Sequence, residues 1–189
     1  MKTIRLMHLS IAIAGAWTAI ACAQPAPAPA SPPAAKMSAA ECEVWNRERS
    51  FAASVEHHDA VAFADHVHAQ AAFGAGSTAP THGRDAVVAD WKDIIDGKQF
   101  KLRWSPGIVT MGGDGSLAIS RGPSWIESES PDPAKHYRIG EFISTWIRDK
   151  DGKWRVLFDS GAGPMHAASA DDVAKLVASL PKECPRAAQ

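Results

Sequence analysis

Residues 116–161 read SLAISRGPSWIESESPDPAKHYRIGEFISTWIRDKDGKWRVLFDSG, and three stretches of this block alternate between apolar and polar residues as strands do. The first is 117–121, which Gly122-Pro123 is expected to stop. The second runs over 137–148 and the third over 153–159. Asp151-Gly152 lies between the last two. An Asp-Gly pair between alternating runs is a strong hairpin signal, because a two-residue turn needs φ > 0 at both positions. The block therefore predicts an antiparallel sheet of long strands.

Upstream of it the pattern is helical. Residues 38–57 open on Ser38-Ala39-Ala40-Glu41, a capping-box sequence, and Cys42, Trp45, Phe51, Ala52 and Val55 fall near one face. A short second helix follows His58-Asp59, with Val61, Phe63, Ala64 and Val67 on its apolar side. Residues 69–74 form a short strand. Gly83-Arg84-Asp85 leads a third helix that buries Val87, Val88, Trp91, Ile94 and Ile95 and closes at Gly97. Residues 100–111 form a strand pair or one strand bent at Pro106-Gly107. A last helix starts at Ser169 and stops before Pro181; it should lie outside the core and cover an edge. Helices first and antiparallel strands after predict an α+β fold, with helices on one face of a curved sheet.

The two ends read differently. Residues 1–23 carry Lys2 and Arg5 before an apolar run that is short for a membrane span, then small residues at a cleavage point, the pattern of an export signal. Cleavage after Ala21 or Ala23 and lipidation of Cys22 both fit. Residues 24–37 form a Pro/Ala-rich tether. The domain proper is expected over 38–163, and 164–189 are a tail with a short helix. The expected address is periplasmic or outer-membrane-anchored, with any membrane contact made through the lipid anchor. In an oxidising compartment Cys42 and Cys184 would pair and tie the first helix to the tail. The whole chain has 20 basic and 21 acidic residues. Nothing is strongly basic, which argues against a nucleic-acid partner.

Several further stretches, in order, carry a family pattern: Phe63-Ala64-Asp65-His66-Val67, Gly83-Arg84-Asp85-Ala86-Val87 with Trp91, and Leu102-Arg103-Trp104-Ser105-Pro106. Arg121-Gly122-Pro123-Ser124-Trp125, residues 140–146 (GEFISTW), Asp151-Gly152-Lys153-Trp154-Arg155 and Asp159-Ser160-Gly161 complete it. Over roughly 40–163 the chain resembles the nuclear transport factor 2-like superfamily, the cone-shaped fold that includes SnoaL-like cyclases and ketosteroid isomerase. The likeness is closest to a bacterial group that is often exported. It implies a small-molecule pocket between sheet and helices. The group commonly places Asp just before the strand that here holds Ala71-Ala72-Phe73. Gln70 stands there instead, so a carboxylate at that place is missing. Fold likeness implies no particular reaction.

The pocket candidates are polar or aromatic residues of the strands. Asp159 is the first. A carboxylate in an apolar cone has a raised pKa and could serve as a general base or a hydrogen-bond donor. Arg155, Leu157 and Asp159 are expected on one side of their strand. Arg121 and Glu141 read either as ligand contacts or as a cross-strand ion pair. Tyr137 shares the side of Glu141. Trp104 and Trp125 suit a flat ligand, with core packing the plain alternative. His66 is a second candidate base. The histidines 57, 58, 66 and 68 lack a convincing third ligand, so neither metal nor other cofactor is expected. Ser124 and Ser144 lack a nucleophile elbow. Both faces of the 137–148 strand carry apolar bulk, and a homodimer would cover the second one. The reading is an exported domain binding a small apolar molecule, with a cofactor-free isomerase, cyclase or dehydratase as the alternative.

Overall fold

The computed structural model describes residues 36–98 and 100–187, all within one unit, Ala34–Gln189. The export signal, Cys22 and most of the tether lie outside the described residues. Helix α1 spans Ala39–Glu56 and starts in a complete capping box: Ser38 Oγ accepts from the Glu41 amide, and the Glu41 carboxylate accepts from the Ser38 amide. Asp59 caps α2, Ala60–His66, by accepting from the amides of Val61 and Ala62. The third helix breaks at Trp91 into α3, Arg84–Asp90, and α4, Lys92–Ile95. Helix α5, Ala170–Ser179, is capped by Ser169, and none of its residues is buried.

The strands are β1 (Val67–Phe73), β2 (Thr81–His82), β3 (Lys101–Trp104), β4 (Ile108–Gly112), β5 (Leu117–Glu127), β6 (Tyr137–Arg148), β7 (Trp154–Gly161) and β8 (His166–Ala168). They form one sheet in the order β2-β1-β7-β6-β5-β3, with β4 also on β5 and β8 also on β6. All pairs are antiparallel except β1 with β7. Helices and a curled sheet give the expected cone-like α+β architecture. Its interior holds Trp45, Phe51, Phe63, Val67, Phe73, Val87, Trp104 and Trp146.

Three local expectations are corrected. Gly122-Pro123 does not stop the first strand of the block, because β5 continues to Glu127. The carbonyls of Arg121 and Pro123 accept from Gly107 and Ser105, so this edge of β5 faces the corner where β3 hands over to β4. The missing N–H of Pro123 falls on that same edge, and no ladder bond is lost to β6. The Asp151-Gly152 hairpin is not a turn with two positive φ values: only Gly152 has one, at 81°. Its amide reaches the Asp149 carbonyl at 2.8 Å, making a longer loop that ends in a left-handed glycine. The third correction is a bulge in β7. Thr145 pairs with Phe158 and Trp146 with Val156, leaving Leu157 as the extra residue. The bulge reverses the alternation, so Asp159 shares the inward face with Val156, and Phe158 points outward.

Candidate functional site

Across the inner face the register aligns three polar residues, Ser120 on β5, Ser144 on β6 and Asp159 on β7. Ser144 Oγ donates to Asp159 Oδ2 at 2.7 Å. Above this row α1 supplies Glu48, fully buried. Its carboxylate is held by two indoles: Trp104 Nε1 donates to Oε1 and Trp146 Nε1 to Oε2, each at 2.7 Å. An indole N–H buried without a partner is costly, and so is a carboxylate; here each satisfies the other. Ser120 Oγ lies buried beside the same group, near enough to favour its charged form but outside hydrogen-bond geometry. Phe51 packs edge-on against both indoles, with ring centroids 5.2 Å from Trp104 and 6.1 Å from Trp146.

The electrostatics follow from this setting. Burial pushes the Glu48 carboxyl up to about 7. The two indole bonds oppose the shift and the Asp159 charge adds to it. Desolvation likewise pushes the carboxyl of Asp159, a residue only partly buried, up to about 6, against the Ser144 bond. Among the described residues neither acid forms an ion pair. Each is therefore poised to hold or release a proton near neutral pH.

A carboxyl that titrates higher in the folded than in the unfolded chain stabilises the fold below its unfolded pKa. That advantage is lost as the pH rises through the folded value. For Glu48 the window runs from 4.5 to about 7. The stability of the wild type relative to a Glu48→Gln variant should therefore fall by on the order of 3 kcal/mol between pH 5 and pH 8. Thermal melts at the two pH values measure it. A difference that stays constant would mean that Glu48 titrates normally. His66, lowered by burial to about 4, works in the opposite sense but is common to both proteins.

Of the residues singled out in the sequence, Asp159 and Trp104 lie in this interior cluster. His66 ends α2 and is buried. Its Nδ1–H donates to the Ala62 carbonyl and its Nε2 accepts from the Ser50 hydroxyl, both at 2.6 Å, so both ring nitrogens are engaged. Arg121 and Glu141 form an ion pair on the opposite, outer face. Trp125 and Tyr137 share that outward parity, with Trp125 buried outside the main core cluster. Cys42 and Cys184 are joined in a disulfide. Glu48 was missed by the sequence reading. The signal was a charged residue three and four positions from Val44, Trp45 and Phe51, in the middle of an apolar helix stripe. Among the described residues no group of three or more His, Cys, Asp or Glu side chains could hold a metal ion.

A cleft of about 200 Å³ opens between the end of α1, α4 and β3, lined by Val55, Glu56, His58, Ile94, Leu102 and Arg103. Leu102 and Trp104 are successive inward residues of β3, paired with Ile126 and Ser124 of β5. Val55 and Glu48 lie two turns apart on the buried face of α1. Along this helix–strand seam the Glu48 carboxyl thus lies beyond the cleft, with the buried Trp104 between them.

Comparison with protein-family models finds no match, and comparison with curated proteins finds none either. Solved structures do match. A putative scytalone dehydratase from Novosphingobium aromaticivorans aligns over 68% of this chain and 87% of its own, at 12% identity and a TM-score of 0.55. A putative ketosteroid isomerase from Shewanella frigidimarina aligns over 66% and 98%, at 13% identity and 0.54. A nuclear transport factor 2-like superfamily protein from Salmonella enterica aligns over 68% and 91%, at 14% identity and 0.52. With the helices packed on one curled mixed sheet, these likenesses establish that the chain has the nuclear transport factor 2-like fold.

Proposed function

We propose that the chain is an exported domain that binds a small, largely apolar molecule at the inner end of the cleft, beside Trp104, with Glu48 and Asp159 behind it. The observation that carries this reading is the fully buried Glu48, held by two indoles with no ion pair among the described residues, and the partly buried Asp159 near it. A protonated carboxyl in such surroundings is a directed donor to a neutral acceptor, and the rings supply flat apolar walls. A neutral, flat molecule with one carbonyl or phenol oxygen fits that chemistry. Export rests on the basic and apolar pattern of residues 1–23, and lipidation at Cys22 would hold the domain on a membrane at the end of its Pro/Ala tether.

A second reading is a cofactor-free isomerase or dehydratase, favoured by two acids that exchange protons near pH 7. The likeness to a putative ketosteroid isomerase and a putative scytalone dehydratase supports it only at the level of fold.

The test is a titration with a panel of small ring ketones and phenols, read by the NMR signals of the Trp104 and Trp146 indole N–H groups. At least one compound should shift both signals, and Asp159→Asn should weaken its binding about tenfold. If no compound moves either indole in the folded wild type, binding at this place is ruled out. Turnover of a bound compound, abolished by Asp159→Asn, would select the enzyme reading.

A further inference from the structure

His58 holds a backbone conformation that few residues other than glycine adopt, with φ at 59°. It follows His57, the C-cap of α1, in the left-handed place where a helix usually ends on glycine. Both bonds of that helix stop are made: the His58 amide donates to the Val55 carbonyl at 3.2 Å and the Asp59 amide to the Ser54 carbonyl at 2.8 Å. The side chain then crosses to the end of α4, where ring Nδ1 meets the Ile95 carbonyl. Gly97 leaves room for the ring, since a Cβ there would lie 2.9 Å from His58 Cε1. An uncommon backbone angle, a carbonyl and a missing side chain together fix the orientation of the imidazole.

A carbonyl oxygen can only accept, so Nδ1 carries the hydrogen of the neutral ring and Nε2 is left as an acceptor. Nε2 has no hydrogen-bond partner among the described residues. The residue is exposed, and it lines the cleft between α1, α4 and β3. The charges around the same cleft are matched within the chain. Arg103 pairs with Glu56 at 3.3 Å and with Glu127 at 3.6 Å, and Lys101 pairs with Glu127 at 3.2 Å. Asp96 receives both Lys92 and Lys98 at 2.7 Å. A charged ligand would have to break one of these pairs or enter without a counter-ion. A neutral one meets the apolar side chains of Val55, Ile94 and Leu102 and a ready acceptor in His58. Such an acceptor takes a hydroxyl and gives a ketone or an ether nothing to bond.

We propose that His58 is the specificity-determining residue of the cleft, and that the ligand is a neutral ring compound whose hydroxyl donates to Nε2. This rests on the cleft being the place of binding, and it narrows the ligand class from ketones and phenols to hydroxyl donors.

Two measurements test it. Long-range proton–nitrogen NMR of the full chain without ligand, in mildly alkaline buffer, should show His58 protonated at Nδ1 and bare at Nε2. The opposite tautomer overturns the proposal. Small phenols are then titrated against their methyl ethers, with the His58 ring nitrogens and the Trp104 and Trp146 indoles as separate readouts. A phenol should bind about tenfold more tightly than its ether and should move the Nε2 signal. His58→Asn tolerates the left-handed backbone but is too short to place an acceptor where Nε2 stands. Its preference for the phenol should fall to about one, with circular-dichroism melts showing a folded chain. Phenol and ether bound alike by the wild type, or a preference that survives His58→Asn, overturns the proposal. Indoles that move while Nε2 stays fixed would keep the place of binding and remove His58 from it. A phenol that moves Nε2 and neither indole would uphold His58 and overturn the placement beside Trp104 instead.

Discussion

Replacing Cys42 and Cys184 together by alanine is expected to lower the free energy of unfolding by about 2–5 kcal/mol. The disulfide closes a loop with a sequence separation of 142. In the chain-entropy account a loop of that length restricts the unfolded chain by about 5 kcal/mol, and strain or residual structure reduces the gain. Cys42 lies in the first turns of α1 and is fully buried, and Cys184 packs against the core from beyond α5. Noncovalent bonds also tie the segment beyond α5 to the start of the domain. The Met37 amide donates to the Pro185 carbonyl at 2.8 Å, Ala187 donates to the Met37 carbonyl at 3.0 Å, and Arg49 reaches the Pro181 carbonyl at 3.3 Å. Urea unfolding measures the effect. The midpoint should fall, and the slope should rise as the unfolded chain, no longer cross-linked, exposes more surface. An unchanged midpoint would show that the bridge contributes nothing.

Gly122→Ala should be comparably damaging for a different reason. A Cβ at residue 122 would sit 2.1 Å from the Ser105 carbonyl oxygen and 2.6 Å from the Gly107 nitrogen. Both are backbone atoms of the β3–β4 corner, and the corner has nowhere to go. Its two amides are bonded to Arg121 and Pro123, and the Pro106 carbonyl accepts from Trp45 Nε1 at 2.9 Å. Relief would require breaking that clamp between α1 and β5. The cost is about 3 kcal/mol or more, or roughly 6–12 °C in melting temperature for a domain of this size. Gly112→Ala is the control: nothing lies within 4 Å of its would-be Cβ, and it should melt within about 2 °C of wild type. Equal melting of the two variants would refute the clamp.

How far the sequence could be read depended on whether a signal was local. The capping box at Ser38 and Glu41, the helix end before Pro181 and the full extent of β6 rest on neighbours a few residues away, and they were legible; the break of the third helix at Trp91 was not. The turn of Asp159 into the interior was not. Period-2 alternation carries no mark of the inserted Leu157, because a bulge is set by pairing with β6 and not by residue type. Gly122-Pro123 read as a stop because proline costs a strand one donor. That cost vanishes where the adjoining strand turns away, which is a tertiary fact. Glu48 failed to register because a lone acid on a helix is usually solvated. Its burial becomes plain only when two distant tryptophans, Trp104 and Trp146, deliver their N–H groups to it.

The joining of the tail to α1 has a mechanical consequence. Residues 42–184 are a covalently closed ring, and Met37 and Arg186 lie side by side just outside it. Tension between residue 36 and residue 187 therefore bypasses the sheet, the helices and the interior acids. It peels apart only the few residues flanking the bridge and is then carried by the sulfur–sulfur bond.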